Sequence, residues 1–390
     1  MSQHDNAQRI TVLFAGGGTG GHLMPGLSVA DELRRSVPES RSAFAGTFSE
    51  FERRIVEEHG FEFHGLPSLK WTGSALAAPA WALRSMGGLF GARKLVQDIQ
   101  PDLVVSLGGY AALAPCLAAR LANIPLVILE QNAYPGKVNR LLSWWAGEVH
   151  APWPGMESLF AYPDRVFLTG NPVRAGLCKR PDRNLAETFD LSSRKRTLLV
   201  MGGSQGARAV NHAIAKALPL LEKAADRIQI LHSTGRLDYD EVCAMYGKSR
   251  LQAVVRPYID NMHAAYSISS LAMCRAGGTT LAELAAVGIP SVLVPLPIAA
   301  EDHQRHNAEQ LADAGAAVIL AQADLTPDTA AETLLSLLDD ELRLSAMREA
   351  CTRIGYPSAA RNVVARLTAL LTQDQWFESM DIAPSLLEGG

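Results

Sequence analysis

The run Ile10-Thr11-Val12-Leu13-Phe14-Ala15-Gly16-Gly17-Gly18-Thr19-Gly20-Gly21-His22 decides how the first half of this chain folds. Residues 10–15 form a short apolar stretch, the pattern of a strand buried on both faces. The glycines that follow permit positive φ and close backbone approach. Helical periodicity begins after them. A helix opening at that point offers unpaired N–H groups and the positive end of its dipole, which together cradle phosphate. Gly16, Gly18 and Gly21 also satisfy G-x-G-x-x-G, a weak signal alone.

The same succession of strand, glycine turn and helix recurs outward from this stretch. Residues 103–107 lead into Gly108-Gly109-Tyr110, and residues 198–201 into Gly202-Gly203-Ser204-Gln205-Gly206-Ala207. Residues 271–274 lead into Arg275-Ala276-Gly277-Gly278-Thr279-Thr280-Leu281-Ala282-Glu283. Further strands are predicted at 42–47, 126–130, 228–232, 253–255 and 291–294. Strands alternating with helices imply parallel sheets covered on both faces. The reading is therefore α/β, with two Rossmann-like domains. The first is expected over residues 1–170 and the second over 171–355. The division falls at the proline-punctuated Gly170-Asn171-Pro172-Val173-Arg174. Residues 181–196 read as a polar surface excursion. A last amphipathic helix over 359–371, within 356–372, is expected to pack back on the first domain, and 373–390 reads as a tail. Ligands of open α/β sheets bind outside the carboxyl ends of the strands. Two facing domains with such loops describe a cleft that holds phosphates from both sides.

Composition narrows the function. The chain has 390 residues, 48% hydrophobic and 19% charged, with a net charge of −4. That balance supports real cores and argues against nucleic acid as a partner, since phosphate-backbone binding wants a basic surface. Five scattered cysteines form no C-x-x-C pair, so neither a disulfide framework nor a zinc site is expected. Residues 1–9 are polar and read as no secretory signal. No stretch reaches the roughly 18 apolar residues of a spanning helix. Asp238-Tyr239-Asp240 falls at a predicted helix start, where acidic residues suit the dipole. Neither a metal nor a cofactor is expected.

Single residues point to chemistry. Glu283 is expected on the first turn of its helix, where a carboxylate can either meet the dipole or accept two hydrogen bonds from a ribose diol. Gln304 and Asn307 stand three apart on one predicted helix face, suited to sugar hydroxyls. His22 directly follows the first glycine loop, and its side chain titrates near neutrality.

Six ordered motifs then carry a resemblance. They are Gly-Gly-Thr-Gly-Gly-His at 17–22, Glu130-Gln131-Asn132 with Pro135-Gly136 and Asn139, Gly170-Asn171-Pro172-Val173-Arg174, the loop at 202–207, Pro257-Tyr258-Ile259-Asp260-Asn261-Met262, and Asp302-His303-Gln304 with Asn307-Ala308. Over residues 10–370 the chain resembles the MurG family of bacterial peptidoglycan synthesis, the UDP-N-acetylglucosamine:lipid I N-acetylglucosaminyltransferases. The resemblance implies a GT-B fold and an inverting transfer of GlcNAc from UDP-GlcNAc to the C4 hydroxyl of MurNAc in lipid I, giving lipid II. It implies donor contacts from Thr19, Gly20, Gly21, Asn132, Arg174, Gly203, Ser204, Ile259, Met262, Thr279, Glu283, Gln304 and Asn307. Acceptor contacts would come from Thr19, Gly20, Tyr110 and Asn139. Its place after the glycine loop favours His22 as the base, against the alternative that it orients substrate or caps the helix; Glu130 is the second candidate, and a water relay is a further route. Leu129, Lys137 and Ile298 depart from the family's usual residues, which bears on the acceptor side.

A lipid-linked acceptor implies work at the cytoplasmic face of an anionic bacterial membrane, alongside other cell-wall synthesis proteins. Residues 70–94 suit that surface: Trp71, Trp81, Leu89 and Phe90 stand among Lys70, Arg84, Arg93 and Lys94, with no acidic residue. The alternative is a helix that buries Trp81 and Leu89 in the first core. Two rival activities remain. A dinucleotide oxidoreductase would want a carboxylate ending the second strand, and residues 42–47 have none before Glu50. A UDP-GlcNAc 2-epimerase would share the fold and need no membrane-facing surface.

Overall fold

The computed structural model describes residues 10–18, 20–67, 78–178, 185–203 and 206–372, with backbone alone at 20, 78–86 and 372. These divide into two compact units. One comprises residues 10–130, 136–169 and 358–372, and the other 131–135 and 170–357.

The first unit is built on a seven-stranded sheet in the order β3-β2-β1-β4-β5-β6-β7. Its strands are β1 (Thr11–Gly16), β2 (Arg41–Gly46), β3 (Glu62–Gly65), β4 (Leu103–Gly108), β5 (Leu126–Leu129), β6 (Glu148–Ala151) and β7 (Val166–Leu168). Every pairing is parallel, with Phe14 opposite both Phe44 and Val105. Parallel neighbours need crossovers, and here helices α1 (Gly20–Ser36), α2 (Glu50–Glu58), α3 (Ala78–Ile99), α4 (Tyr110–Leu121) and α5 (Lys137–Leu142) intervene. Burial on both faces explains why β1, β4 and β5 are solidly apolar. The rings of Phe14 and Phe44 stack at 5.0 Å inside a core that Leu23, Leu27 and Leu33 of α1 complete.

The second unit repeats the scheme with six parallel strands in the order β10-β9-β8-β11-β12-β13. These are β8 (Arg196–Met201), β9 (Ile228–Ser233), β10 (Ala253–Arg256), β11 (Ser269–Cys274), β12 (Ser291–Leu293) and β13 (Ala317–Ile319). Its helices are α6 (Arg208–Leu221), α7 (Tyr239–Tyr246), α8 (Met262–Ile268), α9 (Gly278–Val287), α10 (His303–Asp313), α11 (Pro327–Leu338) and α12 (Glu341–Ile354).

Four strands escape the sequence pattern: β3, β6, β7 and β13. Three of them are sheet edges, and all are three or four residues long. An edge strand has one neighbour and a half-wet face, so it lacks the apolar run that marks a central strand. Residue 196 also opens β8 rather than closing the polar excursion. Residues 179–184 of that excursion, and the tail at 373–390, lie outside the described residues.

Helix α13 (Ala359–Thr372) follows the second unit in sequence and belongs to the first in space. Val363, Val364 and Leu367 enter the core around β1 and α1. Arg366 clamps the helix to the sheet. Its Nε and Nη2 donate to the two oxygens of Glu148 on β6 at 2.8 and 2.6 Å, and its guanidinium lies 3.3 Å from the Phe167 ring centroid. Burial pushes the Glu148 carboxyl up, but His150 and Arg366 beside it outweigh burial and hold it below the usual carboxylate range. A depressed folded pKa stabilises above the unfolded pKa, and that stability is lost as pH falls through the folded pKa. Arg366→Leu is therefore expected to lose about 1–3 kcal/mol by urea unfolding at pH 7, because it strands a buried carboxylate whose partner was only partly exposed. The difference from wild type should shrink as pH falls through the depressed pKa of Glu148, because the carboxyl is then neutral in both proteins.

Candidate active site

In each unit the loops that the sequence singles out stand at the C-terminal edge of the sheet. In the first unit, β1 runs into the loop at 16–19 and α1 opens at Gly20. Thr19 lies outside the described residues. Gly21 and His22 are in the first turn of α1, and His22 is partly exposed. β4 runs into Gly108 and Gly109, and Tyr110 opens α4. A Cβ added at Gly109 would come within 2.9 Å of the Gly17 carbonyl and 4.0 Å of His22 Cε1, so the two loops touch beside the histidine.

Glu130 leaves β5 almost wholly buried. Its Oε2 accepts from Asn139 Nδ2 at 2.8 Å and from the Gly136 N–H at 3.3 Å. Asn139 in turn accepts from the buried Ser106 hydroxyl at 2.9 Å. The arrangement ties the segment after Pro135 to β4 and β5. A carboxylate oxygen that already accepts two N–H groups serves as an anchor, which leaves His22 the more accessible of the two base candidates.

One residue that sequence reasoning passed over organises the first loop. Glu52, only 2% exposed, accepts from the Gly18 N–H, from the Thr47 N–H at 2.8 Å and from the Thr47 hydroxyl at 3.0 Å. A Cβ at Gly17 would lie 2.7 Å from its Oε2, so glycine is required there by the carboxylate. The signal in the sequence was Ser49-x-x-Glu52, a capping-box pattern. Ser49 does accept from the Glu52 N–H, at 3.4 Å. The Glu52 side chain, however, reaches to the glycine loop.

In the second unit, β8 leads into the loop at 202–207 and then α6. Gly203 and Gly206 take positive φ, and Ser204 and Gln205 lie outside the described residues. β11 leads through Gly277 into α9. Thr279 stands in the first turn of α9 and Glu283 in the second, a correction to the expected first turn. That position removes the dipole explanation for Glu283, because the dipole acts at the terminal turn. Glu283 is 3% exposed, and three donors reach its two oxygens. Arg174 Nε donates to its Oε1 at 2.8 Å and Arg174 Nη2 to its Oε2 at 3.1 Å, while the Tyr266 hydroxyl donates to Oε2 at 2.8 Å. Burial works against the Arg174 charge, but the Glu283 carboxylate more than offsets it. Burial, reinforced by the charge of Glu283, pushes the Tyr266 phenol well up, so it remains a donor. Tyr266 lies on α8, which Met262 opens under an Asn261 cap that accepts from the Ala264 N–H at 3.0 Å. Ile259, just before it, is buried.

The α10 residues occupy two different situations. Gln304 Oε1 accepts from the N–H groups of Ala276 (3.3 Å) and Leu296 (2.9 Å), which leaves its Nε2 as the group to offer a sugar. Asn307 is wholly buried: it accepts from the Ala133 N–H at 2.7 Å and donates to Asn132 Oδ1 and to the Ala276 carbonyl, each at 3.1 Å. Its amide is spent on protein groups, so it ties residues 132–133 to the Ala276 loop. Asp238 stands at the helix start where the sequence places it, with Asp240 in the first turn. It is the N-cap of α7 but makes no cap hydrogen bond, and its side chain turns inward to Asn211. Among the described residues, His212, Asp238 and Glu241 bring metal-capable atoms within 4.8 Å of one another, and Glu241 also meets Arg208 at 3.5 Å.

Residues 12–151 match the glycosyltransferase family 28 N-terminal domain, and residues 197–363 match its C-terminal domain. Fold and loops thus define a glycosyltransferase of the GT-B type. The chain is 42% identical over 364 residues to the UDP-N-acetylglucosamine–N-acetylmuramyl-(pentapeptide) pyrophosphoryl-undecaprenol N-acetylglucosamine transferase of Chlorobaculum parvum, spanning 92% of this chain and 99% of that one. MurG of Acinetobacter baumannii superposes with a TM-score of 0.73 at 30% identity, over 92% and 99% of the two chains. A UDP-N-acetylglucosamine 2-epimerase of Listeria monocytogenes shares the fold alone, with a TM-score of 0.69 at 16% identity over 96% and 98%. The chain belongs to the MurG family of N-acetylglucosamine transferases.

If Glu52 fixes the first loop, Glu52→Ala strands two backbone N–H groups and should cost about 1–3 kcal/mol in urea unfolding. Amide exchange at Gly18 and Thr47 should rise more than exchange across β1. Equal change at all three would make the effect global and the anchor unimportant.

Proposed function

We propose that this chain transfers N-acetylglucosamine from UDP-GlcNAc to the C4 hydroxyl of MurNAc on lipid I, with inversion, at the cytoplasmic face of an anionic membrane. The observation that carries the donor half is the Arg174–Glu283–Tyr266 cluster. It pairs a cation suited to a diphosphate with a buried carboxylate suited to a ribose diol, held at the second turn of α9. Ile259 and Met262 would flank the uracil, Gly203, Ser204 and Thr279 the diphosphate, and Gln304 Nε2 the sugar hydroxyls. Asn132 and Asn307 would shape the floor of that pocket. Thr19, Gly20, Gly21 and Tyr110 would meet the acceptor, while Asn139, buried and bonded to Glu130 and Ser106, would act from behind them.

The step forms a bond from the acceptor C4 oxygen to the anomeric carbon as the bond from that carbon to the β-phosphate oxygen breaks. The hydroxyl proton passes to His22, and UDP leaves with the electron pair. Its charge meets backbone N–H groups and Arg174, which are oriented before the reaction and need little reorganisation.

Incubation of purified protein with labelled UDP-GlcNAc and a lipid I analogue tests this. Label should enter lipid only when acceptor is present. Conversion of UDP-GlcNAc to its 2-epimer without acceptor would favour the epimerase reading instead. In the same assay His22→Ala should lower kcat by about 10²–10⁴-fold with donor affinity near wild type. A loss below tenfold would move the base elsewhere.

The membrane half rests on the surface of the first unit. Phe90 is 70% exposed and Trp144 56%, with Leu141 and Trp145 also exposed, and Arg93, Lys94 and Lys137 stand exposed on the same two helices or beside them. Aromatic and basic side chains together suit an anionic interface. Residues 68–77, including Lys70 and Trp71, and the side chains of Trp81 and Arg84 lie outside the described residues. Each such cation is worth about 1 kcal/mol at an anionic surface. Arg93→Glu with Lys94→Glu should therefore weaken sedimentation with phosphatidylglycerol vesicles and activity on a long-chain acceptor, while activity on a short soluble analogue survives. Unchanged vesicle binding would mean that another surface docks.

A further inference from the structure

Beneath the loop at 202–207 lies a chain of buried polar side chains for which the reaction has no direct use. Asn211, on the first turn of α6, is 0% exposed, as is His232 at the end of β9. Asn211 Nδ2 donates twice, to the Thr234 carbonyl at 2.8 Å and to Asp238 Oδ2 at 2.8 Å. That uses both amide hydrogens. Its Oδ1 stands 3.0 Å from His232 Nε2, and His232 Nδ1 stands 2.9 Å from the Tyr246 hydroxyl on α7.

The chain has one consistent proton arrangement. Asn211 Oδ1 can only accept, so His232 carries its proton on Nε2. Burial pushes His232 down to about 3, so the ring is neutral and Nδ1 is an acceptor. Tyr246 then donates to it, and burial keeps that hydroxyl protonated. Each donor and acceptor on this path has a partner, the condition under which a buried polar network rigidifies rather than destabilises.

The geometry links this network to the glycine loop through one atom, the Thr234 carbonyl oxygen. Gly206 has φ of +80°, and a Cβ there would fall 2.1 Å from that oxygen and 3.1 Å from Gly235 Cα. The Thr234 N–H is itself bonded to the Arg256 carbonyl at 3.0 Å, so the segment is fixed from β10. Asn211 also donates its backbone N–H to the Ala207 carbonyl at 2.9 Å. Gly206 thus packs against a carbonyl whose position Asn211 sets.

We propose that Asn211, oriented by His232 and Tyr246, is a positioning residue for the donor diphosphate: it fixes the Thr234 carbonyl against which Gly206 packs, and so holds Gly206 and Ala207, the end of the loop from which α6 starts. The inference rests on the reading that this loop holds the diphosphate. It concerns residues that touch no substrate, and the apolar pattern of β9 and α6 gave no sign of them.

The test separates phosphate recognition from general destabilisation. Binding of UDP and of uridine to the full chain is measured by calorimetry for wild type, Asn211→Ala and Tyr246→Phe, with thermal unfolding followed in parallel. Asn211→Ala should weaken UDP by about tenfold, the scale of one buried group left unsatisfied, and leave uridine within about twofold. Tyr246→Phe, which removes only the outermost hydroxyl, should move the UDP-to-uridine ratio the same way by less. It decides the matter if Asn211→Ala does not fold. A ratio that stays at the wild-type value in the folded variants, whatever their stability, overturns the inference. A wild-type protein that binds UDP no better than uridine instead overturns the underlying reading of the loop.

Discussion

A parallel sheet can be joined only by crossovers, and this constraint organises the molecule. Each strand of either unit that continues into a helix does so at the same sheet edge, so the loops at 16–19, 108–109, 202–207 and 275–277 stand at strand C-termini by necessity. At each of those edges a helix begins, with N–H groups that no residue of the helix can satisfy. Anionic ligands and buried carboxylates compete to fill that deficit. In the first unit Glu52 meets a loop donor just ahead of that deficit, the Gly18 N–H two residues before α1 opens.

Glycine loops are conformationally permissive, and permissive loops are poor templates. Buried polar side chains remove the freedom. Glu52 pins the first loop, Asn211 supports the one after β8, and Asn307 binds residues 132–133 to the loop after β11. Each is nearly or wholly inaccessible to solvent, where an unmet hydrogen bond is costly and a complete set is correspondingly rigid. The site is thus prearranged by residues one layer behind those that would meet substrate. This is what a reaction that relies on oriented dipoles requires.

The Arg174–Glu283 pair follows the same logic for charge. A carboxylate as buried as Glu283 needs a partner, and Arg174 supplies a two-pronged one with Tyr266 on the remaining side. Both charges are thereby retained inside the unit.

Apolar periodicity and glycine turns by themselves determined the α/β class, the central strands of both sheets and the loops that carry chemistry. These signals are local: a strand buried on both faces must be apolar, and a chain that turns sharply into a helix needs glycine. Ordered motifs determined the family. Only the tertiary structure decided the edge strands β3, β7 and β13, whose residues face water on one side and carry no run. It alone placed Glu283 in the second turn of α9 against Arg174, turned Asp238 inward, and brought Glu52, Asn211 and Tyr266 to their partners. Those partners lie 34, 23 and 17 residues apart in sequence, from Gly18 to Glu52, Asn211 to Thr234, and Tyr266 to Glu283. No local pattern encodes such a contact: a hydrogen bond between distant residues exists only once the sheets have brought both ends together.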